Sequence, residues 1–201
     1  MRVRLSLLPW LVVAGVFGAC APSAPTPSVS AIPSPSYVCT PSVAGGPATP
    51  FACDRERYDE QQRQAALEAE AIAVYKRYWA EYMRLEYAGG ADQPTPELFA
   101  TTADPRLTDI MALLRYHKEH QQRAQGVLKP PVVRVDRAPI EGAEVALLAC
   151  QDGTNLELVD SSGQVVDTGI VLEERLGLRR FEGQLKVFKS VDTGGTRCDV
   201  S

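Results

Sequence analysis

Between positions 54 and 87 the apolar residues recur with a helical period: Leu67, Ala71, Val74, Tyr78, Tyr82 and Leu85 fall at offsets 0, 4, 7, 11, 15 and 18. No proline or glycine interrupts Asp54 to Tyr87, so the spacing predicts one long amphipathic helix that Gly89 and Gly90 stop. Asp59 and Arg63 are spaced for an i,i+4 ion pair near its start. Thr95 and Pro96 open a short turn through Ala103. Asp104 then reads as a cap before Pro105, launching a second helix with Leu107, Ile110, Met111 and Leu114 on one face and Gly126 at its close.

Beyond Pro131 the period falls to two. Residues 132–137, 144–151, 155–166 around the turn Ser161-Ser162-Gly163, 170–180 and 184–191 read as strands. Glycine-bearing turns at Gly142, Gly153 and Gly183 suit a meander of antiparallel strands. Two helices followed by consecutive strands give an α+β domain, a long N-terminal helix and a second helix packed on a curved antiparallel sheet. Gly177, inside the longest strand pattern, predicts a bulge that lets the sheet curl.

The first 53 residues follow other rules, because no residue from Leu5 to Cys53 carries a charge. Arg2 and Arg4 precede the 13-residue apolar run Leu5 to Phe17, and small residues Gly18 and Ala19 lead to Cys20. A bilayer core of about 30 Å needs around 20 apolar residues, so this run is short for a span, and Pro9 interrupts it. It reads as a secretory signal peptide. Phe17-Gly18-Ala19-Cys20 resembles the lipobox of bacterial lipoproteins, with phenylalanine where leucine is usual; the likeness implies cleavage before Cys20 and acylation of its sulfur. The rival is ordinary secretion, with cleavage at the small residues Ala19 and Ala21. Residues 21 to 50 hold eight prolines and six serines and few large apolar side chains, a composition suited to a tether rather than a core. The chain therefore divides into a signal peptide over 1–19, a Pro/Ser-rich tether over 20–53 and a folded domain over 54–201.

Five cysteines are odd in number, but setting Cys20 aside leaves Cys39, Cys53, Cys150 and Cys198, an even set for disulfides in an exported chain. A bridge between Cys39 and Cys53 contributes about 3 kcal/mol in the loop-closure model and pins the tether to the first helix.

The helix Ala71-Ile72-Ala73-Val74-Tyr75-Lys76-Arg77-Tyr78-Trp79, the strand Val145 to Cys150 and the closing run Leu185-Lys186-Val187-Phe188 followed by Cys198 resemble the nuclear-transport-factor-2-like (cystatin-like cone) superfamily, and in particular small exported actinobacterial lipoproteins. The resemblance implies a bent sheet wrapped round a long helix and a disulfide between Cys150 and Cys198. It also implies a pocket between helix and sheet, where enzymes of the superfamily place an Asp or His. The candidates to line such a pocket are Tyr75, Tyr78, Trp79 and Tyr82, with Asp136 and Asp152 as inward carboxylates. Aromatic residues at helical spacing are more commonly core, Asp152-Gly153 suits a turn, and Asp136 suits a charged strand face.

His117 and His120 sit three apart, close enough for two metal ligands, but the reading adopted is a solvated helix end, where cations are favourable. No zinc-protease, nucleophile-elbow or phosphate-loop motif occurs, so no catalytic residue, metal or cofactor is assigned. Loss of residues 1–19 leaves 19 basic against 25 acidic residues, a net of -6, which opposes nucleic acid and anionic lipid as partners. The expectation is a lipid-anchored cell-envelope protein on the extracytoplasmic face of the cell membrane, presenting a non-catalytic binding or adaptor domain to an envelope protein or an apolar ligand. The alternatives are an apolar carrier or an isomerase- or lyase-type enzyme using the cone pocket, and a structural wall-associated protein.

Overall fold

The computed structural model describes residues 36–40 and 49–194. The expected signal peptide, Cys20, most of the tether and Cys198 lie outside them. Helix α1 runs Arg55–Tyr87, 33 residues. Asp54 caps it, its carboxylate accepting from the Arg57 amide at 2.8 Å. At the other end the Gly89 amide donates to Glu86 O (3.2 Å) and the Gly90 amide to Leu85 O (2.9 Å), a Schellman closure. Ala71, Val74, Tyr78 and Leu85 are buried as the periodicity predicts, with Leu67 and Tyr82 packed against the core. Arg63 pairs with Glu60 rather than Asp59, which takes Arg55 instead. All four groups are solvated, so neither pairing weighs much.

The segment read as a turn after Thr95 is a short helix, α2 (Pro96–Thr101), capped by the Thr95 hydroxyl. Helix α3 spans Arg106–Glu119. Asp104 does not cap it; its carboxylate accepts from the Thr108 hydroxyl at 2.7 Å, and Pro105 occupies the cap position. Nor does α3 reach Gly126. Gln121 turns the backbone to φ 54°, and Arg123–Gly126 becomes strand β3. Ala124 alone of those four residues is buried, too little apolar alternation to announce a strand.

The remaining strands form two sheets where a single meander is expected from the sequence. Strands β4 (Val132–Asp136), β5 (Val145–Asp152), β8 (Val171–Phe181) and β9 (Gln184–Asp192) make an antiparallel sheet in the order β4-β5-β8-β9. Strands β6 (Leu156–Val159) and β7 (Val165–Thr168) form a hairpin that joins β3 in the order β3-β6-β7. Asp160 holds its turn, accepting from the Ser162 and Gln164 amides. The β8–β9 register slips between Gly177 and Leu178, where the bulge is expected. A Cβ on Gly177 would stand 3.1 Å from both Ile140 and Phe188, so glycine lets the bend close over its neighbours.

Helices α1 and α3 bury one face of the four-stranded sheet. Tyr75, Tyr78, Leu98, Leu114, Leu147, Leu176, Leu178 and Val187 are essentially inaccessible there. Two further strands, β1 (Tyr37–Cys39) and β2 (Phe51–Cys53), pair antiparallel inside the stretch expected to be tether, and a Cys39–Cys53 disulfide links them. The compact unit therefore begins at Ser36 rather than Asp54. No helix among the described residues is long and apolar enough to cross a membrane.

Candidate functional site

A groove lies along the inward face of the C-terminal half of α1, bounded by α3, the start of β8 and the three-stranded sheet. It holds two adjoining cavities of about 300 Å³ each, which share Tyr82, Leu113, Gln151 and Leu172. This is the low end of the size range for small-molecule sites. One cavity is walled by α1, α3 and β9 and carries Tyr78, Arg106, Glu174 and Ser190. The other opens toward β6 and β7 and carries Met83, Glu86, His117, Leu156 and Ile170 among others.

The floor of the first cavity is a hydrogen-bonded cluster around Glu174, whose side chain is 4% exposed. Its carboxylate accepts from Gln151 Nε2 (2.7 Å), Ser190 Oγ (2.7 Å) and Arg106 Nη2 (3.3 Å). Arg106 also donates to the Tyr78 hydroxyl through Nε (3.2 Å) and Nη2 (3.0 Å), and Gln151 donates to the Tyr75 hydroxyl (3.2 Å). Strand alternation selects these residues. Leu172, Glu174 and Leu176 share one face of β8, and Leu147, Ala149 and Gln151 share one face of β5. Glu174 sits in the charged run Glu173-Glu174-Arg175, and its parity with Leu176 is the signal that turns it inward.

In the second cavity Glu86 and His117 face each other from α1 and α3, with Glu86 Oε2 2.7 Å from His117 Nδ1 and both side chains at most one-tenth exposed. His117 belongs to the buried face of α3 with Ile110 and Leu114, not to a solvated helix end. His120 does not join it: its Nδ1 contacts Tyr116 O at 2.8 Å and its ring stacks on Tyr116. Tyr82 lies beside Glu86, and burial together with that carboxylate pushes its hydroxyl pKa well up. The Glu86 carboxylate therefore meets both His117 Nδ1 and the Tyr82 hydroxyl.

Of the residues expected at a pocket, Tyr78 and Tyr82 line the groove. Tyr75 is wholly buried behind it and reaches it through Gln151. Trp79 lines neither cavity, and its buried indole Nε1 has no partner among the described residues. Asp136 faces Arg175, not the groove. Burial opposes its charge, but the hydrogen bonds from Arg175 and the Ala138 amide hold its carboxyl below the usual range. Asp152 is the turn residue, accepting from Thr154 and pairing with Lys129. Cys150 is buried and disulfide-bonded; its expected partner, Cys198, lies outside the described residues. Among the described residues no three His, Cys, Asp or Glu side chains are placed to hold a metal ion.

The buried tyrosines set an alkaline limit. Desolvation is the main cause that pushes the Tyr78 hydroxyl from 10.0 up to about 12, with Glu174 adding to it and Arg106 partly opposing it. Desolvation likewise raises Tyr75. The folded state keeps these protons longer than the unfolded chain, so their stabilisation is complete below pH 10 and lost as pH climbs to about 12. Absorbance titration should show this phenol class ionising together with the loss of helical circular dichroism. Ionisation of every phenol before unfolding would contradict it.

A scan against protein-family models finds no match, and no curated protein matches the chain.

Proposed function

We propose that the protein is a lipid-anchored cell-envelope binding protein, exported by residues 1–19, held through Cys20 and presenting a groove that takes a small, largely apolar ligand. The bent sheet of the nuclear-transport-factor-2-like cone, wrapping the long helix, is the architecture proposed to frame that groove. The observation that carries the binding reading is the pair of adjoining cavities, apolar in most of their walls but with Glu86, His117, Gln151 and Glu174 set on helices and strands rather than loops. A few fixed polar groups in an apolar concavity orient a ligand without covalent chemistry. The direct test is native mass spectrometry of the protein extracted from its membrane. Wild-type protein should release a bound small molecule, and Leu172→Arg, which places a cation in the wall shared by both cavities, should not. Equal spectra would refute the reading.

One observation favours a second reading. The Glu86 carboxylate on His117 Nδ1 fixes an imidazole at the cavity wall and leaves Nε2 for a substrate, the arrangement a general base needs. Under this reading the ligand extracted from wild-type protein is turned over, and His117→Gln binds it without converting it.

A further inference from the structure

We infer that the first cavity selects an uncharged apolar molecule bearing a carbonyl oxygen, and that Arg106 Nη1 is the donor that recognises it. The inference rests on the groove being a binding site and adds the functional group of what binds. Arg106 carries it. Its Nε and Nη2 both donate to the Tyr78 hydroxyl, at 3.2 and 3.0 Å, and Nη2 also donates to Glu174 at 3.3 Å. A guanidinium is planar, so a residue held by its Nε–Nη2 edge presents Nη1 on the opposite side. Tyr78 is buried beneath it, whereas the Arg106 side chain is 20% exposed and lines the cavity. Nη1 has no hydrogen bond among the described residues, and it is the corner of the group turned from the tyrosine to the cavity. The other bonds fix the plane in advance, so a ligand does not pay to order the donor.

The surroundings favour a neutral acceptor over a charged group. Glu174, 4% exposed, already neutralises Arg106, so a ligand carboxylate would lose its hydration without a free countercharge. An ammonium fares no better, because the Glu174 carboxylate is engaged by Arg106, Gln151 and Ser190. Asp109 and Asp192 also line the cavity, but both are exposed and screened by water. A carbonyl oxygen costs less to desolvate and gains a charge-assisted hydrogen bond. Ile110, Leu113, Leu172 and the Tyr82 ring ask for a hydrocarbon or aromatic body around it.

Four probes of similar size separate the possibilities when titrated into the full chain and followed by NMR: acetophenone, α-methylstyrene, in which a methylene replaces the oxygen, benzoate and benzylamine. Acetophenone should bind about tenfold tighter than α-methylstyrene, and both charged probes should bind more weakly than the ketone. Arg106→Leu combined with Glu174→Leu should erase the ketone's advantage while α-methylstyrene still binds. Because that variant can unfold, a second measurement uses wild-type protein alone: the carbonyl stretch of bound acetophenone should lie below its frequency in hydrocarbon solvent. An unshifted stretch, or α-methylstyrene binding as tightly as the ketone, would overturn the inference and leave the groove as a binding site. Tightest binding by a charged probe, or a ketone advantage that survives in the folded double variant, would also overturn it. So would no binding by any probe, and native mass spectrometry of the extracted protein then decides separately whether the groove holds a ligand.

Discussion

Glu174→Leu should lower the unfolding free energy by about 3–5 kcal/mol, the loss that follows when one partner of a buried ion pair is removed. Glu174 is the common acceptor for Arg106, Gln151 and Ser190, and its side chain is almost wholly enclosed. Leucine removes the acceptor that the three donors share; Gln151 keeps the Tyr75 hydroxyl, whereas the Arg106 guanidinium, one-fifth exposed, keeps only the Tyr78 hydroxyl. The penalty belongs to the orphaned charge rather than to the missing bonds. Arg106→Leu combined with Glu174→Leu should therefore recover most of it, because replacing both partners by apolar groups is often close to neutral. Urea unfolding measures both variants through the midpoint at an unchanged slope. A loss below about 1 kcal/mol in the single variant would mean that the pair behaves as a solvated surface contact.

Gly90→Ala should cost about 3–4 kcal/mol, summing left-handed strain and overpacking. Gly90 has φ 88°, and a Cβ there would lie 2.0 Å from Leu114 O and 2.8 Å from the Lys118 amide nitrogen, both backbone atoms of α3. No rotamer relieves that overlap; the helices have to separate. Gly163→Ala is the matched control, because Gly163 has φ 84° but nothing within 4 Å, so it should show the strain alone, about 1 kcal/mol. The contact also fixes how α3 lies on α1, and so how His117 meets Glu86. The imidazole resonances of His117 should shift in Gly90→Ala and stay fixed in Gly163→Ala. Equal destabilisation by the two would show that the close approach carries no energy.

The long helix and the larger sheet are legible in the sequence because their burial is periodic. Val145, Leu147 and Ala149 repeat every second residue, and Ala71, Val74 and Tyr78 repeat with the helical turn. The small sheet is legible only in its β6–β7 hairpin, which the sequence places around Ser161-Ser162-Gly163. Strand β3 offers one buried residue, and β7 none, so their pairing comes from the partner strand β6 rather than from their own pattern. The groove is half legible: Tyr78 and Tyr82 follow from helix periodicity. Its polar members are charged or amide side chains on buried faces, Glu174 beside Leu172 and Leu176, Gln151 beside Ala149, His117 beside Leu114. Composition places such residues at the surface. Only parity with apolar neighbours marks them as inward, and the pairing that makes their burial tolerable spans distant segments that periodicity cannot join.

Intact-mass spectrometry of the protein purified from its native membrane tests the central claim, that a lipid anchor holds this groove outside the membrane. The expected chain begins at Cys20 and carries acyl groups on that residue. A chain that retains Met1 and an unmodified Cys20 sulfur would contradict it.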